Sequence, residues 1–470
     1  MPHRTLAALL TATALTAGTT AAFAQAATAP GSEPPTPAPA APMTSTAPAA
    51  SPVAATDAPA SSDAPATSPA TAPAASPAPA RDAPAPADAS AAPTTSTPPV
   101  AAPATTADAP AASPATPPAA APADATPPAA APADAATTPA DDAAPLEKGQ
   151  PTADMTAVLD KLAELGADPI GTLTPEEQRR EPTPADAVMA VMKDRGIAMP
   201  AGLAAIRTQD VSYTDAAGGQ QPIRIYTPEG EGPFPLVVYY HGGGWVIADI
   251  DTYDASARAL AEGAKAVVAS VEYRHAPESR FPAAHEDANL AYRWLVENSG
   301  SLNADAERLA VAGESAGANL AMNVAINARD AQLAQPDHML LVYPVAGNDM
   351  DTPSYQTYAD AQPLSKPAME WFVSHVFADP SQTADPRLDL VDRTDLSGLP
   401  PASVINAQID PLLSEGERLA KALQEQGVET TQKTYDGVTH EFFGMGTVVP
   451  EAKEAMTLAT TALSQALGVK

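Results

Sequence analysis

The sequence has no cysteine, only 4% aromatic residues, and 25 basic residues against 56 acidic ones. The absence of cysteine excludes disulfide bonds, metal sites built on thiolates, and a lipid anchor on an N-terminal cysteine. The net charge of −31 argues against binding to nucleic acid or anionic lipid, because both need clustered Lys and Arg. Any folded part of the chain must therefore be stabilised by an ordinary hydrophobic core.

Two N-terminal segments show no pattern of a folded domain. Residues 1–24 combine a short basic start, a short apolar run and small residues before a cleavage point, as in a secretory signal peptide. The apolar run is shorter than the roughly 20 residues that span a bilayer, so we expect export to the periplasm or the medium. Residues 25–145 are almost entirely Ala, Pro, Thr, Ser and Asp, and a ten-residue stretch at 116–125 repeats at 126–135. This composition predicts a disordered linker.

From residue 146 to residue 470 the pattern is that of one folded domain. Two amphipathic helices, predicted at 152–165 and 183–193, precede an alternation of strands and helices. Short, nearly continuous apolar strands between helices indicate a mostly parallel sheet that is covered on both faces. The first two strands, around Val211 and Ile223, are separated by a short turn with two glycines. They therefore predict an antiparallel hairpin at the sheet edge.

The strongest chemical signal is the pentapeptide GESAG at 313–317, which follows a predicted strand and opens a predicted helix. In this context Ser315 would sit on a sharp turn with its hydroxyl exposed, as a nucleophile requires. The positive end of the helix dipole would lie close to the negative charge that develops during attack. An incidental serine in a glycine-rich turn is the competing interpretation.

A second glycine-rich segment, HGGGW at 241–245, follows the strand predicted at 236–240. Consecutive glycines let backbone N–H groups approach a substrate oxygen, as an oxyanion hole requires. We assign Gly243 and Gly244 as donors, together with the N–H of Ala316 beside the nucleophile. A phosphate-binding loop is disfavoured because neither GK[ST] nor GxGxxG spacing follows. His241 itself is expected to orient the loop through a hydrogen bond rather than to act as a base.

The general base must be one of the three histidines that follow Ser315, because this motif orders its partners as nucleophile, acid and histidine. His338 begins a predicted strand and His375 lies in a helix-like stretch, so both are interpreted as structural. His440 lies in a loop after the strand predicted to end at Tyr435, where an imidazole can reach the nucleophile.

The acid that orients this histidine is predicted to be Asp410, which follows a strand predicted at 403–407 and precedes Pro411. Asp before Pro is also a good helix start, so Asp410 could serve as an N-cap, alone or in addition. Asp436 is the rival acid, but it is too close in sequence to His440 to approach the ring easily from behind.

These motifs resemble the hormone-sensitive-lipase-like family of α/β-hydrolases, a group that includes many bacterial carboxylesterases. The resemblance extends from about Val211 to the C-terminus and rests on HGGGW at 241–245, YRHAPESRFPAAHEDA at 273–288, GESAG at 313–317, DPLLSEG at 410–416 and HEFFGM at 440–445. It implies an α/β-hydrolase fold with a helical cap built from about 151–200 and 353–377. The triad it implies is Ser315, Asp410 and His440, with Gly243, Gly244 and Ala316 as oxyanion donors.

The resemblance also implies an apolar acyl pocket, for which Trp245, Trp371 and Phe372 are candidates and for which core packing is the alternative. Arg274 and Glu278 are expected to form a buried polar pair near the site.

The sequence thus predicts a serine carboxylic ester hydrolase that acts on short- to medium-chain acyl or acetyl esters through an acyl-enzyme intermediate. No metal or organic cofactor is needed, and the expected partner is a small-molecule ester, with no nucleic acid and no integral membrane segment in the mature chain. The same side chains could cleave amides or deacetylate a polysaccharide. A non-catalytic binding module is disfavoured because all three triad residues are present.

Overall fold

The computed structural model describes residues 146–469. The predicted signal peptide at 1–24 and the predicted linker at 25–145 lie outside the described residues. In the part of the chain that the structure describes, no helix is long and apolar enough to cross a membrane.

A single eight-stranded sheet organises residues 146–469. Its strands are β1 Arg207–Thr214, β2 Gln220–Thr227, β3 Phe234–Tyr240, β4 Val267–Val271, β5 Ala304–Glu314, β6 His338–Val342, β7 Ala402–Ile409 and β8 Thr430–Thr439. The spatial order is β1-β2-β4-β3-β5-β6-β7-β8. Strand β2 is antiparallel to both β1 and β4, and all other neighbouring pairs are parallel. The predicted mostly parallel sheet with an antiparallel edge hairpin is therefore confirmed.

Helices precede the sheet and alternate with its strands. They are α1 Ala153–Glu164, α2 Pro175–Gln178, α3 Pro184–Arg195, α4 Ala201–Ala204, α5 Asp254–Ala264, α6 Ala283–Asn298, α7 Ala316–Asp330, α8 Pro353–Thr357, α9 Lys366–Val376, α10 Leu413–Glu425 and α11 Pro450–Ala466. Helix α3 begins as its sequence predicts. Thr183 is the N-cap, Pro184 is the first helical residue, and a reciprocal pair of hydrogen bonds joins Thr183 to Asp186.

The sheet separates two hydrophobic cores, because side chains alternate between its faces along each strand. In β3, Leu236 and Val238 face a core that includes buried residues of α6, α7, α9 and α10. The intervening Val237 and Tyr239 face a second core built with α1, α3, α5 and α11. Burial on both faces explains why the central strands read as continuous apolar runs.

The parallel strands bring their carboxyl ends to one edge of the sheet, and each predicted chemical group follows one of these ends. The glycine loop follows β3, Ser315 follows β5, Asp410 follows β7 and His440 follows β8. The loop predicted between Tyr435 and His440 is wrong, because β8 continues to Thr439 and delivers His440 directly.

Candidate functional site

Ser315 occupies a strained corner between β5 and α7. Its φ of 56° and ψ of −119° are unusual for a residue with a side chain, and such strain persists only where the surroundings enforce it. The N–H of Ser315 donates to the carbonyl of Val342 at 2.9 Å, and its carbonyl accepts the N–H groups of Ala318 and Asn319 in the first turn of α7. The serine is thus held at the helix N-terminus beside the cavity described below.

The two glycines that flank this corner are required by close packing. A Cβ at Gly313 would strike the carbonyl of Gly317, and a Cβ at Gly317 would strike the carbonyl of Tyr240 at the end of β3. Because both obstacles are backbone atoms, neither can move aside without shifting α7 or the end of β3. The GxSxG spacing therefore follows from the sharpness of the turn.

His440 and Asp410 form a close, buried pair. The Nδ1 of His440 lies 2.6 Å from Oδ2 of Asp410, and the side chains are 3% and 0% exposed. The other carboxylate oxygen of Asp410 accepts the N–H of Leu412 at 2.9 Å, which fixes the carboxylate plane. Helix α10 has Leu412 as its N-cap, so Asp410 stands just before the helix and is not its cap. The rival Asp436 lies exposed within β8.

One cavity of about 910 Å³ brings the predicted groups together, with Ser315, His440, Gly243 and Gly244 all in its wall. Ala316 is fully buried at the first position of α7. The glycine loop is folded into a tight turn, since the carbonyl of Gly243 accepts the N–H groups of Val246 and Ile247. This arrangement places a hydroxyl, an imidazole and a glycine backbone around one cavity.

Apolar side chains from both predicted cap segments line the same cavity. Those from the first segment include Leu159, Leu162 and Ile170, and those from the second include Leu364, Met369 and Phe372. Of the three predicted pocket aromatics, Trp245 and Phe372 line the cavity, whereas Trp371 donates its Nε1–H to the carbonyl of Leu173.

Two further carboxyl groups lie near His440, and sequence reasoning missed both. Glu441 Oε1 lies 3.8 Å from Nε2 of His440, and Tyr253 donates its hydroxyl to both Glu441 oxygens at 2.7 and 2.8 Å. Glu314 accepts the hydroxyls of Tyr239 and Tyr343. The only signal in the sequence is that each glutamate is adjacent to a motif residue.

Burial and the neighbouring carboxyl groups together shift the pKa values of Glu314, Glu441 and His440. Burial, reinforced by Glu441, raises the pKa of Glu314 to about 7. Burial also raises the pKa of Glu441. Burial alone would lower the pKa of His440, but Asp410, and then Glu441 and Glu314, raise it above its ordinary value. The imidazole is therefore a stronger proton acceptor than an isolated buried histidine.

The predicted pairing of Arg274 with Glu278 is wrong. Arg274 forms a two-pronged ion pair with the buried Asp287, at 2.7 and 2.8 Å, which ties the segment after β4 to α6. Glu278 is largely exposed and pairs instead with Arg179, which also donates to the carbonyls of Val246 and Ala276. Proximity in sequence suggested Glu278, but the first turns of α6 bring Asp287 closer.

The other two histidines after the serine contact structural partners. The Nε2 of the buried His338 lies 3.0 Å from the hydroxyl of Ser403 on the neighbouring strand. The Nδ1 of His375 lies 2.8 Å from the carbonyl of Trp371 within α9.

Comparison with known proteins places this geometry in a family. Residues 237–444 match a family model described as alpha/beta hydrolase fold. The chain is 34% identical over 323 residues to ethyl acetate hydrolase of Pseudomonas putida, covering 67% of this chain and 98% of that protein. It is 39% identical over 258 residues to carboxylesterase NlhH of Mycobacterium tuberculosis, covering 52% of this chain and 78% of that protein.

Among solved structures, a hyperthermophilic esterase from the archaeon Pyrobaculum calidifontis is similar in fold, with a TM-score of 0.60 and 32% identity. The match covers 67% of this chain and 98% of that one. The similarity to the Pseudomonas putida enzyme spans almost that whole protein, and the fold agrees with that of solved esterases. The chain therefore belongs to the hormone-sensitive-lipase-like carboxylesterases of the α/β-hydrolase superfamily, and it is a serine hydrolase of that type.

Proposed function

We propose that the protein hydrolyses short- to medium-chain acyl or acetyl esters through an acyl-enzyme intermediate on Ser315. The observation that carries the proposal is the 2.6 Å contact between His440 and Asp410 in a cavity that also contains Ser315. A buried carboxylate at Nδ1 holds the imidazole proton on that nitrogen, which leaves Nε2 free to accept the serine proton.

In the first half of the reaction, His440 Nε2 takes the proton of Ser315 as its oxygen attacks the ester carbonyl. The N–H groups of Gly243, Gly244 and Ala316 donate to the oxygen that becomes negative. These donors favour the transition state over the ground state, because the carbonyl oxygen carries full charge only after attack. The imidazolium then gives its proton to the leaving alcohol, and the acyl group remains on the serine.

In the second half, water enters the position of the alcohol and gives its proton to the same nitrogen. The acid is then released and the serine regains its proton. Asp410 stabilises the imidazolium in both halves. No step needs an electron acceptor or a metal-bound water.

The size and lining of the cavity support the substrate class. A volume of about 910 Å³ with apolar walls can hold an ester of modest length and lies in the range of small-molecule sites. The name of the Pseudomonas putida relative states that it acts on ethyl acetate, which supports a short acyl group. The helices at about 151–200 and 353–377 are proposed to act as the cap, because both segments contribute apolar cavity wall.

The test is hydrolysis of a p-nitrophenyl ester series from acetate to decanoate by the wild type and by Ser315→Ala. We expect turnover that is greatest for the short and medium chains, and loss of turnover in the variant without loss of its folded circular dichroism spectrum. Labelling of the wild type alone by a fluorophosphonate probe would identify the nucleophile. Full activity of Ser315→Ala would refute the mechanism, and a parallel series of anilides separates esterase from amidase activity.

We also propose that residues 1–24 direct export of the protein to the periplasm or the medium. The support is the sequence pattern alone. N-terminal sequencing of the protein recovered outside the cytoplasm should begin after residue 24 or 26. Recovery of the uncleaved chain in the cytoplasmic fraction would contradict the proposal.

A further inference from the structure

Three potential metal ligands converge on the cavity wall beside the glycine loop. His241 follows β3, and Glu272 and His275 follow β4, the neighbouring strand. Their ligand atoms all lie within 4.8 Å of one another. Oε1 of Glu272 lies 3.3 Å from Nε2 of His241 and 3.1 Å from Nε2 of His275. The ester hydrolysis proposed above assigns no task to this cluster.

The surroundings of His241 specify which of its nitrogens carries a proton. Nδ1 lies 3.0 Å from the carbonyl of Gly242, which can only accept, and the hydroxyl of Tyr273, 3.4 Å from Nδ1, donates instead to the carbonyls of His241 and Gly242. We therefore assign Nδ1 as the donor to Gly242. In a neutral ring Nε2 then presents a lone pair toward the carboxylate of Glu272. Two lone pairs can face each other at this distance only with a cation between them, either a second ring proton or a metal ion. Donation from one ring nitrogen to a backbone carbonyl is the usual arrangement of a metal-bound histidine.

The imidazole of His275 also needs a cation between its Nε2 and the carboxylate of Glu272. Nε2 of His275 is buried and, among the residues that the structure describes, makes no hydrogen bond. The Glu272 oxygen is near enough at 3.1 Å but lies outside hydrogen-bond geometry. A proton on this nitrogen would therefore be poorly satisfied, whereas a metal ion would contact both atoms from one side. Buried polar atoms without partners are rare and call for an explanation of this kind.

The spacing suits a small divalent ion. Nitrogen and oxygen ligands at about 2.0–2.1 Å from a tetrahedral Zn²⁺ lie about 3.3 Å from one another. The contacts of 3.3 and 3.1 Å from Glu272 match this separation, and the ligand atoms of the two histidines lie within 4.8 Å of each other. Two imidazoles and one carboxylate are ligands typical of Zn²⁺, Co²⁺ and Ni²⁺. Glu272 and His275 both line the cavity, so an ion has a route of entry and room for a water as fourth ligand.

We propose that His241, Glu272 and His275 bind one divalent transition-metal ion, such as Zn²⁺, on the wall of the substrate cavity. The site is separate from Ser315 and supplies no step of ester hydrolysis. Because His241 directly precedes Gly242 and the glycines that follow it, an ion at this site anchors the start of that loop. The proposal stands whether or not the loop holds an oxyanion.

The test uses the full chain, stripped of metals with a chelator and titrated with Co²⁺. We expect one bound equivalent by equilibrium dialysis and the visible absorption of tetrahedral Co²⁺. His275→Leu should lose both signals, and Glu272→Gln should weaken binding at least tenfold. His375→Leu is the matched control, because it removes an imidazole from α9, outside the cluster, and should bind Co²⁺ as the wild type does.

Two results would overturn the proposal. One is a wild-type chain that binds no Co²⁺ at concentrations near that of the protein, which would assign the cluster to ring protons alone. The other is a folded His275→Leu chain that keeps the wild-type stoichiometry and spectrum, which would place the ion elsewhere. If His275→Leu does not fold, as judged by circular dichroism, Glu272→Gln decides between the same two interpretations.

Discussion

Replacement of Asp410 by Asn tests how the buried acid acts on His440. In the wild type, Oδ2 faces Nδ1 of His440 at 2.6 Å, while Oδ1 accepts the N–H of Leu412 at 2.9 Å. The Leu412 N–H still needs an oxygen in the variant, so the amide carbonyl should remain there and the NH₂ group should turn to the imidazole. An NH₂ group cannot accept the Nδ1 proton, and the ring must therefore adopt the tautomer that is protonated on Nε2.

The size of the effect follows from this tautomer. A histidine protonated on Nε2 cannot take the proton of Ser315, and in triad hydrolases the corresponding change lowers kcat about 10⁴-fold. At 1.36 kcal/mol for each factor of ten, this loss corresponds to about 5.4 kcal/mol of transition-state stabilisation. The free energy of unfolding should fall by only about 1 kcal/mol, because both hydrogen bonds persist and only their charge assistance is lost.

The assay is kcat for p-nitrophenyl acetate together with the midpoint of urea unfolding. Asp436→Asn is the matched control, since it removes a carboxylate that is exposed on β8 just before His440, and it should keep wild-type kcat. A fully folded Asp410→Asn chain with kcat within tenfold of the wild type would refute the tautomer argument. So would an equal loss in both variants, because that would implicate net charge rather than the hydrogen bond.

Three further changes have expected outcomes. Gly317→Ala forces a methyl group against the carbonyl of Tyr240, so the urea midpoint should fall by an amount worth about 1–3 kcal/mol or more; an unchanged midpoint would contradict the steric argument. Glu441→Gln removes a carboxylate that raises the pKa of His440, so the acid limb of the kcat/KM profile should move to lower pH, and a shift to higher pH would reverse this assignment. The pKa of Glu314 is raised from 4.5 to about 7, so the folded state holds a proton that the unfolded state has lost between these pH values, and the free energy of unfolding should fall as pH rises from 4.5 to about 7. Glu314→Gln should remove up to about 3 kcal/mol of that fall when unfolding is measured across pH. A Glu314→Gln chain with the same pH dependence as the wild type would argue against a protonated buried carboxyl.

The sequence was informative where chemistry depends on a short, local backbone arrangement. The corner at Ser315 needs a strand, two small residues and a helix within a few positions, and the sequence in and around GESAG predicts all of them. The mostly parallel character of the sheet followed from the same kind of local signal, because apolar runs and helical periodicity alternate along the chain. Asp410 was predictable as the acid because it follows a strand. In a parallel sheet, residues that follow neighbouring strands lie at the same edge, and this places Asp410 close to His440.

Contacts between side chains of different elements could not be predicted from the sequence in the same way. Arg274 was paired with Glu278, its close neighbour in sequence, although Asp287 on α6 is its partner in the fold. The error arises because a segment after a strand can turn in several directions, and only the packing of α6 selects one of them. The extension of β8 to Thr439 was missed for a related reason, since Asp436 and Gly437 weaken a strand pattern that pairing with β7 nevertheless sustains.

The positions of the carboxyl groups around His440 are the clearest example of information that only the structure provides. Glu314 and Glu441 are each next to a motif residue, yet neither position predicts where its side chain goes. The direction of Glu441 is set by its own φ of 71°, and that of Glu314 by the hydroxyls of Tyr239 and Tyr343. The sheet and α5 fix these backbone and hydroxyl positions. The charges that surround the imidazole of His440 are therefore determined by the whole fold rather than by any one motif. A motif can therefore identify the histidine, but the pH at which it works depends on residues that only the structure brings to it.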